Sequence, residues 1–256
     1  AAAMEVAQIK PIVDRTLADI QIGSLDYLKP KPSSITTLVH NKYNPEGISQ
    51  FNIVPGLLGV ILTMTMVMIT SIAMTREAER GTMENLLAMP SKPLEVMIGK
   101  ITPYVLMGLV QTMIILLASN MLFHLPFVGS GSTFGLGVGL FILANLAIGF
   151  TFSTIAKSQM QAMQLTFFFF LPSMLLSGFM FPFQGMPKWA QYLGEILPLT
   201  HFLRIVRGIM LKGTSLSLLS NEFLALLAIL IIVGIIAMLR YRQTLDLSLI
   251  HISDGA

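Results

Sequence analysis

Residues 101–156, ITPYVLMGLVQTMIILLASNMLFHLPFVGSGSTFGLGVGLFILANLAIGFTFSTIA, contain no Asp, Glu, Lys or Arg and decide the class of fold. Three further stretches, 47–75, 158–187 and 223–239, are equally uncharged, and the four together make up more than half of the 256 residues. Only 11% of the chain is charged, against about 25% in soluble domains. A water-soluble fold cannot hide so much apolar sequence, and a disordered chain needs low hydrophobicity and high charge. The sequence therefore predicts a polytopic membrane protein.

Five apolar segments are long enough for transmembrane helices, which need about 20 residues each. The uncharged stretch 101–156 is too long for one helix and breaks at residues 124–132, where a proline and glycines occur. The fourth segment contains four consecutive phenylalanines and Pro172, which a membrane helix tolerates when neighbours satisfy the freed carbonyl. The predicted fold is all-α with five spans, at 54–75, 102–123, 134–156, 164–183 and 219–239.

The segments outside the spans carry most of the polar residues. Residues 1–52 combine helical spacing with a strand-like β-branched stretch, but they are too small for a core of their own. Residues 76–92 predict a short amphipathic helix. Residues 186–212 predict two amphipathic helices divided at Pro198, as an interfacial or re-entrant hairpin. Residues 247–256 continue no pattern and are interpreted as a non-native tail.

Lysine and arginine are distributed unequally between the connections. With five spans, seven of them lie on the side of residues 76–100, 157 and 240–246, and four lie on the side of 186–212. The positive-inside rule makes the first side cytoplasmic and the second side external. Residues 1–52 then face outward without a visible signal peptide. A further transmembrane helix upstream would resolve this contradiction.

The sequence lacks the residue patterns that several kinds of site require. Without cysteine there is no thiolate metal site, and neither a phosphate-binding Gly-x-x-x-x-Gly-Lys-Ser/Thr loop nor a His-Glu-x-x-His zinc helix occurs. The four histidines are scattered along the chain. The chain is therefore predicted to have no catalytic residue, to bind no metal, cofactor or nucleic acid, and to obtain energy from a partner.

The interiors of the spans contain neutral polar residues and no ionisable group for proton or sodium coupling. Two interpretations remain open for these side chains, namely hydrogen bonds between helices and the lining of a passage. The methionines and the phenylalanine run serve as packing or offer a soft surface to apolar ligands. Gly131, Gly135 and Gly139 favour close helix packing. The candidate substrate path comprises Gln111, Asn120, Asn145, Gln164, Phe168 and Ser177.

The charged segment after the first span is where a partner would dock. Its residues 76–90 read REAERGTMENLLAMP. A charged helix held between two spans can transmit force from a soluble subunit, although a solvated loop would have the same composition. The candidate coupling residues are Arg76, Glu77, Glu79, Arg80, Gly81, Thr82, Glu84, Leu86 and Leu87.

At this segment the sequence resembles the permease subunits of type-2 ABC exporters. The most specific pieces are Glu79-Arg80-Gly81-Thr82-Met83-Glu84, Pro93-Leu94-Glu95 and Gly99-Lys100. Further matching pieces, in order, are Tyr43-Asn44-Pro45, Val54-Pro55-Gly56, Pro103-Tyr104, Leu176-Ser177-Gly178, Phe181-Pro182, Met186-Pro187, Leu197-Pro198-Leu199-Thr200 and Arg207-Gly208.

The resemblance implies a larger assembly than this chain. It implies six helices per permease, two permeases per transporter, as copies or paralogues, and a separate cytoplasmic ATPase that binds ATP and Mg²⁺. Residues 1–52 would be the end of an α/β extracytoplasmic domain and 53–246 the transmembrane domain, with the first helix missing from this chain. Segment 76–92 would be the coupling helix against the ATPase, and 186–212 the outer re-entrant helices.

The resemblance also implies a location and an activity. Similar bacterial permeases lie in the inner membrane among its lipids and commonly work with a periplasmic adaptor in multidrug-type efflux. The predicted function is export of a hydrophobic or amphipathic compound by alternating access. An ABC permease for lipid or polysaccharide export is a rival within transport. An intramembrane lipid-modifying enzyme is a rival from another class, and it would need clustered acids, histidines or serines that the sequence lacks.

Overall fold

A computed structural model of the protein describes residues 50–80, 93–123, 125 and 127–253, and side chains between 53 and 240 except at 81–98, 124 and 126. All of these residues belong to the second of two units into which the chain divides, Ile48–Ala256. Every regular element of this described part is helical, which confirms the all-α class for it. The elements are α1 (Gln50–Glu79), α2 (Pro93–Phe123), α3 (Gly131–Ile155), α4 (Gln159–Leu176), a 3₁₀ turn (Phe183–Gly185), α5 (Lys188–Glu195), α6 (Pro198–Lys212) and α7 (Leu216–Ser253).

Four helices are long and apolar enough to cross a membrane. They are Ile53–Glu79 in α1, Gly99–Phe123 in α2, Gly131–Ile155 in α3 and Leu216–Arg240 in α7. A span of 25 residues rises about 37 Å, more than the roughly 30 Å hydrocarbon core of a bilayer. These four correspond to the first, second, third and fifth predicted spans.

The fourth predicted span, 164–183, is not among these four helices. Helix α4 begins five residues earlier, after Ser158, whose hydroxyl accepts a hydrogen bond from the Gln161 backbone N–H at 3.3 Å. It ends at Leu176, because Gly178 adopts a positive φ of 84° and turns the chain. Glutamines in its first turns lower its apolar content. The five-span count is therefore not supported by the described helices.

Several helices extend beyond the predicted spans into charged sequence. Helix α1 continues past the predicted end at 75 to Glu79, because neither glycine nor proline interrupts it there. Residues 76–79 are thus the end of α1 rather than the start of a separate helix, and 81–92 lie outside the described residues. Helix α2 begins at Pro93, not at 102.

The structure describes the two ends of the chain to different extents, so the predicted domains at the ends can be compared with it only in part. Of the predicted extracytoplasmic segment, residues 1–49 lie outside the described residues. Helix α7 continues without a break to Ser253, so the backbone at 247–253 prolongs a helix that no sequence pattern predicted. The two helices predicted within 186–212 are α5 and α6, and Pro198 occupies the first turn of α6.

Helix α3 is the centre of the bundle. In its apolar window 67% of the residues are buried, against 17% in α2 and in α7, so α2 and α7 present most of their surface outward. The ring of Phe141 on α3 stacks on Phe202 of α6, with centroids 3.9 Å apart. This contact places the amphipathic helix α6 inside the core, where it also packs against α1 and α7.

A close crossing of α1 and α3 depends on a glycine that the sequence did not single out. A Cβ atom at Gly149 of α3 would lie 2.8 Å from the Val67 carbonyl oxygen of α1. By contrast, nothing lies within 4 Å of a Cβ built at Gly131, Gly135 or Gly139. The prediction of close packing at that series is wrong within this chain, because those positions face outward.

Candidate functional site

One end of the bundle is joined by polar side chains where α1 leads into residues 81–92. Glu77 of α1 pairs with Lys100 of α2. Both carboxylate oxygens of Glu79 accept hydrogen bonds from Gln159 at the start of α4, from the backbone N–H at 2.9 Å and from Nε2 at 2.5 Å. Nε of Arg76 donates to Oε1 of Gln159 at 3.2 Å. We call these five residues the loop-root cluster.

The loop-root cluster contains three of the nine predicted coupling residues. A fourth, Arg80, follows α1 and is exposed. The other five, Gly81, Thr82, Glu84, Leu86 and Leu87, lie outside the described residues. Lys100 and Gln159 were not among the predicted coupling residues, although Lys100 belongs to the Gly99-Lys100 piece of the resemblance and is a lone charge beside an uncharged stretch.

A second polar cluster lies between α5, α6 and α7. Both terminal nitrogens of Arg204 contact the carboxylate of Glu195, at 2.5 and 3.1 Å. Nη1 of Arg204 also lies 3.3 Å from Oε1 of Glu222 on α7, and the guanidinium stacks 4.6 Å above the ring centroid of Phe183. We call Glu195, His201, Arg204 and Glu222 the hairpin cluster.

His201 is the most buried member of the hairpin cluster, with a side chain only 6% exposed. Nδ1 lies 2.7 Å from Oε2 of Glu222, and Nε2 lies 2.8 Å from the Glu195 carbonyl oxygen. Both partners are acceptors, so only the doubly protonated ring can donate to both. Burial lowers the pKa of His201, but these hydrogen bonds and the two carboxylate charges outweigh it and raise the pKa above its usual value.

Arg207, one turn beyond Arg204 on α6, has a different environment. Its Nη1 donates to the Gly178 carbonyl oxygen at 3.1 Å, and no carboxylate contacts it among the described residues. Its Nε is shielded from solvent and has no hydrogen-bond partner there. Burial lowers the pKa of Arg207, and no acidic group offsets this effect.

The six residues of the candidate substrate path do not meet in one cavity of the described part. Gln111 accepts a hydrogen bond from Thr65 of α1 at 2.9 Å and lines an open apolar groove of about 610 Å³ on the outward face of α1 and α2. Asn120 lines another, of about 290 Å³. Asn145 and Ser177 are buried and donate to carbonyls of their own helices, whereas Gln164 and Phe168 of α4 are exposed. The hydrogen bond of Gln111 to another helix agrees with the interpretation that the neutral polar residues form hydrogen bonds between helices.

Hydroxyl groups also connect α1 to α4. Ser71 of α1 and Thr166 of α4 are 3.0 Å apart, and both side chains also bond to carbonyls of their own helices. Within the ranges that the structure describes, no three His, Asp or Glu side chains are arranged to hold a metal ion. The geometry is that of a helical bundle with two polar ends and an apolar middle.

Comparison with known proteins assigns these features to a family. The family described as "ABC-2 type transporter" matches residues 31–211. The chain is 34% identical over 215 residues to the "Probable multidrug ABC transporter permease YbhR" of Escherichia coli K12, covering 84% of this chain and 58% of that protein. It is 36% identical over 194 residues to the "Inner membrane transport permease YhhJ" of the same strain, covering 74% and 52%.

A eukaryotic relative is more distant. The chain is 27% identical over 215 residues to "ABC transporter G family member 20" of Dictyostelium discoideum, covering 82% of this chain and 29% of that protein. No solved structure matches the chain significantly. The chain spans about half the length of the bacterial relatives that it matches.

Proposed function

Since this chain belongs to the ABC-2 type transporter family, we propose that it is the membrane-spanning part of an exporter permease that moves hydrophobic or amphipathic compounds, in the manner of multidrug efflux. The resemblance predicted from the sequence is thereby confirmed. Its apolar helices make it a multi-pass membrane protein. The names of the bacterial relatives favour drug-like compounds over the rival cargo, lipid or polysaccharide.

The loop-root cluster is the observation that carries the proposal. Segment 81–92 is held between the end of α1 and the start of α2, and the Glu77–Lys100 pair joins these two helices directly. The bonds of Glu79 and Arg76 to Gln159 extend the connection to α4. A displacement of the segment by a soluble subunit would therefore be transmitted to three helices.

The energy would come from a separate cytoplasmic ABC ATPase that binds ATP and Mg²⁺. The sequence has no phosphate-binding loop, so this chain contributes docking and the passage. We further propose six helices in the complete permease, a second permease as copy or paralogue, an extracytoplasmic domain that ends within 1–52, and a location among the lipids of a bacterial inner membrane. A periplasmic adaptor would complete the efflux route.

The apolar character of the helices favours apolar compounds over ions as the transported molecules. The described span centres contain no ionisable side chain, and the open groove beside Gln111 is lined otherwise by apolar residues of α1 and α2. Gln164 and Phe168 lie on the exposed face of α4. In a pair of permeases this face could form the wall of a shared passage, together with the apolar surface of α2.

Reconstitution of the full-length permease with its ATPase tests the proposal. ATP should drive export of a hydrophobic dye from proteoliposomes. Arg80→Glu and Glu84→Lys should leave insertion intact and lower both transport and transport-stimulated ATPase activity about tenfold or more, equivalent to roughly 1.4 kcal/mol or more. Ser130→Ala, at the other end of α3, is the matched control. Normal transport by both charge-reversal variants at normal expression would show that this segment is only a solvated loop.

A further inference from the structure

The guanidinium of Arg207 is a positive charge without a negative partner among the described residues. An arginine has five N–H donors, and Arg207 uses one, to the Gly178 carbonyl oxygen. Its Nε is buried without a hydrogen bond. Buried donors and charges in native proteins are ordinarily paired, so this exception requires an explanation.

No carboxylate of the described part is available to Arg207. The described side chains include four carboxylates, and each has another partner: Glu77, Glu79, Glu195 and Glu222. With His201 protonated, the hairpin cluster has two positive and two negative charges and is already balanced. Arg204 thus serves as an internal comparison, because it lies one turn away on the same helix and is paired twice.

Residues of three elements lie close to the Arg207 guanidinium. Nη2 lies 3.5 Å from the position that a Cβ atom would occupy at Gly56 of α1, and the ring of Phe179 lies 2.5 Å from the same position. Gly178 holds its carbonyl toward Nη1 by a backbone conformation with positive φ, which favours glycine. Gly56, Gly178 and Phe179 therefore lie beside the unpaired guanidinium, between α1, α6 and the turn after α4.

We propose that Arg207 is the anchor of a binding site for an anionic head group, phosphate or carboxylate, carried by an amphipathic molecule. The half-buried apolar ring of Phe179 suits the tail of such a molecule, and the guanidinium suits its head, since arginine binds phosphate and carboxylate with paired N–H groups. Two sources supply this chemistry, an exported amphiphile and an anionic membrane lipid. The identification of the ligand as an exported molecule rests on the proposed function, whereas the binding of an anionic head group to Arg207 does not.

Binding is measured on the purified full-length permease in a neutral detergent. Unfolding temperature is followed while dodecyl phosphate or, for comparison, dodecyltrimethylammonium is added, because a ligand of the native state raises that temperature. Dodecyl phosphate should stabilise the wild type and dodecyltrimethylammonium should not. Arg207→Met should lower the affinity for dodecyl phosphate about tenfold or more, which corresponds to the loss of one charge-assisted hydrogen bond. Arg207→Lys should weaken it less.

Two controls separate this site from a structural role. Lys212→Met removes a charge from the exposed end of the same helix and should respond to dodecyl phosphate as the wild type does. Without ligand, Arg207→Met should unfold at the same temperature as the wild type or higher, because an uncompensated, half-buried charge is removed. An Arg207→Met protein that unfolds at a markedly lower temperature would assign Arg207 a structural role and overturn the proposal, as would an unchanged response to dodecyl phosphate.

Vesicles distinguish the two sources. If phosphatidylglycerol in phosphatidylcholine vesicles stabilises the wild type but not Arg207→Met, the ligand is a resident lipid. If vesicle composition has no such effect, and Arg207→Met instead raises the KM for ATP-driven export of a fluorescent alkyl phosphate, the ligand is the exported molecule. A wild type that binds dodecyl phosphate through Arg207 but exports no dye would contradict the proposed function and leave the anion site intact.

Discussion

The Nδ1 atom of His201 lies 2.7 Å from Oε2 of Glu222, and this contact joins the amphipathic helix α6 to the first turns of α7. The other ring nitrogen is 2.8 Å from the Glu195 carbonyl oxygen at the end of α5. A single protonated imidazole therefore links three helices, with Arg204 between the two carboxylates. The hairpin is fixed to the bundle by charge as well as by apolar packing.

The stability of the protein should depend on pH through His201. Its pKa in the folded protein is raised above the ordinary value of 6.5, so protonation favours the folded state. This contribution is complete below the unfolded pKa of about 6.5 and is lost as the pH rises through the folded pKa. Unfolding temperature in detergent, measured between pH 6 and 9, should fall more for the wild type than for His201→Gln. His124→Gln is the control. If unfolding temperature depends on pH in the same way for the wild type and His201→Gln, the raised pKa of His201 does not contribute to stability.

Removal of Arg204 should destabilise the hairpin cluster. Arg204→Met removes one of the two cations that contact Glu195 and Glu222, the other being protonated His201, and both acids are partly exposed. The cost should be about 1–2 kcal/mol in free energy of unfolding, between the values for exposed and buried ion pairs. Adding Glu195→Gln should recover part of it, which denaturant titration of both variants would reveal. If the double variant is less stable than the single one, repulsion between the acids is not the cause.

The Glu77–Lys100 pair should matter for coupling rather than for folding. Lys100→Glu places two carboxylates together at the root of segment 81–92, and ATP-driven transport should fall several-fold while expression stays normal. The double reversal Glu77→Lys with Lys100→Glu should restore much of the transport, since the pair is re-formed with opposite polarity. Transport assays in proteoliposomes measure both. Equal activity of the single and double variants would exclude a direct role of the pair.

The stacked rings of Phe141 and Phe202 should be the most sensitive apolar contact of the bundle. Phe141→Ala opens a cavity beside α6, which costs about 3–5 kcal/mol in soluble proteins. In a membrane the lost packing counts but transfer from water does not, so we expect about 1–3 kcal/mol. Phe168→Ala is the matched control, because that ring is 76% exposed. Unfolding in mixed micelles compares the two, and equal losses would place Phe141 outside the core.

The orientation of the bundle can be tested with single cysteines in a cysteine-free background. Lys157→Cys, between α3 and α4, should be protected from an impermeant maleimide in intact spheroplasts. Ser215→Cys, between α6 and α7, should react, since it lies on the predicted outer side. Both positions are exposed in the structure, so access depends on the membrane alone. The reverse pattern of labelling would invert the topology.

Some of these features were predictable because they depend only on the residues within a short stretch of sequence. Membrane insertion follows from apolar content within about 20 consecutive residues, so four spans were located to within a few residues of their apolar cores. The break at Pro198 follows from the missing N–H of proline. The helix ends were less predictable. Helix α1 runs beyond its apolar sequence to Glu79. Helix α4 stops at Leu176 because the backbone turns at Gly178, and not because the apolar sequence ends.

The sequence by itself thus determined that this protein lies in a membrane, that it is helical, and to which family it belongs. Only the tertiary structure decided which charges neutralise one another. Glu195, Arg204 and Glu222 are 9 and 18 residues apart along the chain, and nothing in their spacing distinguishes the paired Arg204 from the unpaired Arg207. Ion pairs form over about 4 Å between side chains on different helices, so they are fixed by how the helices pack, and helix packing is not a local property of the sequence.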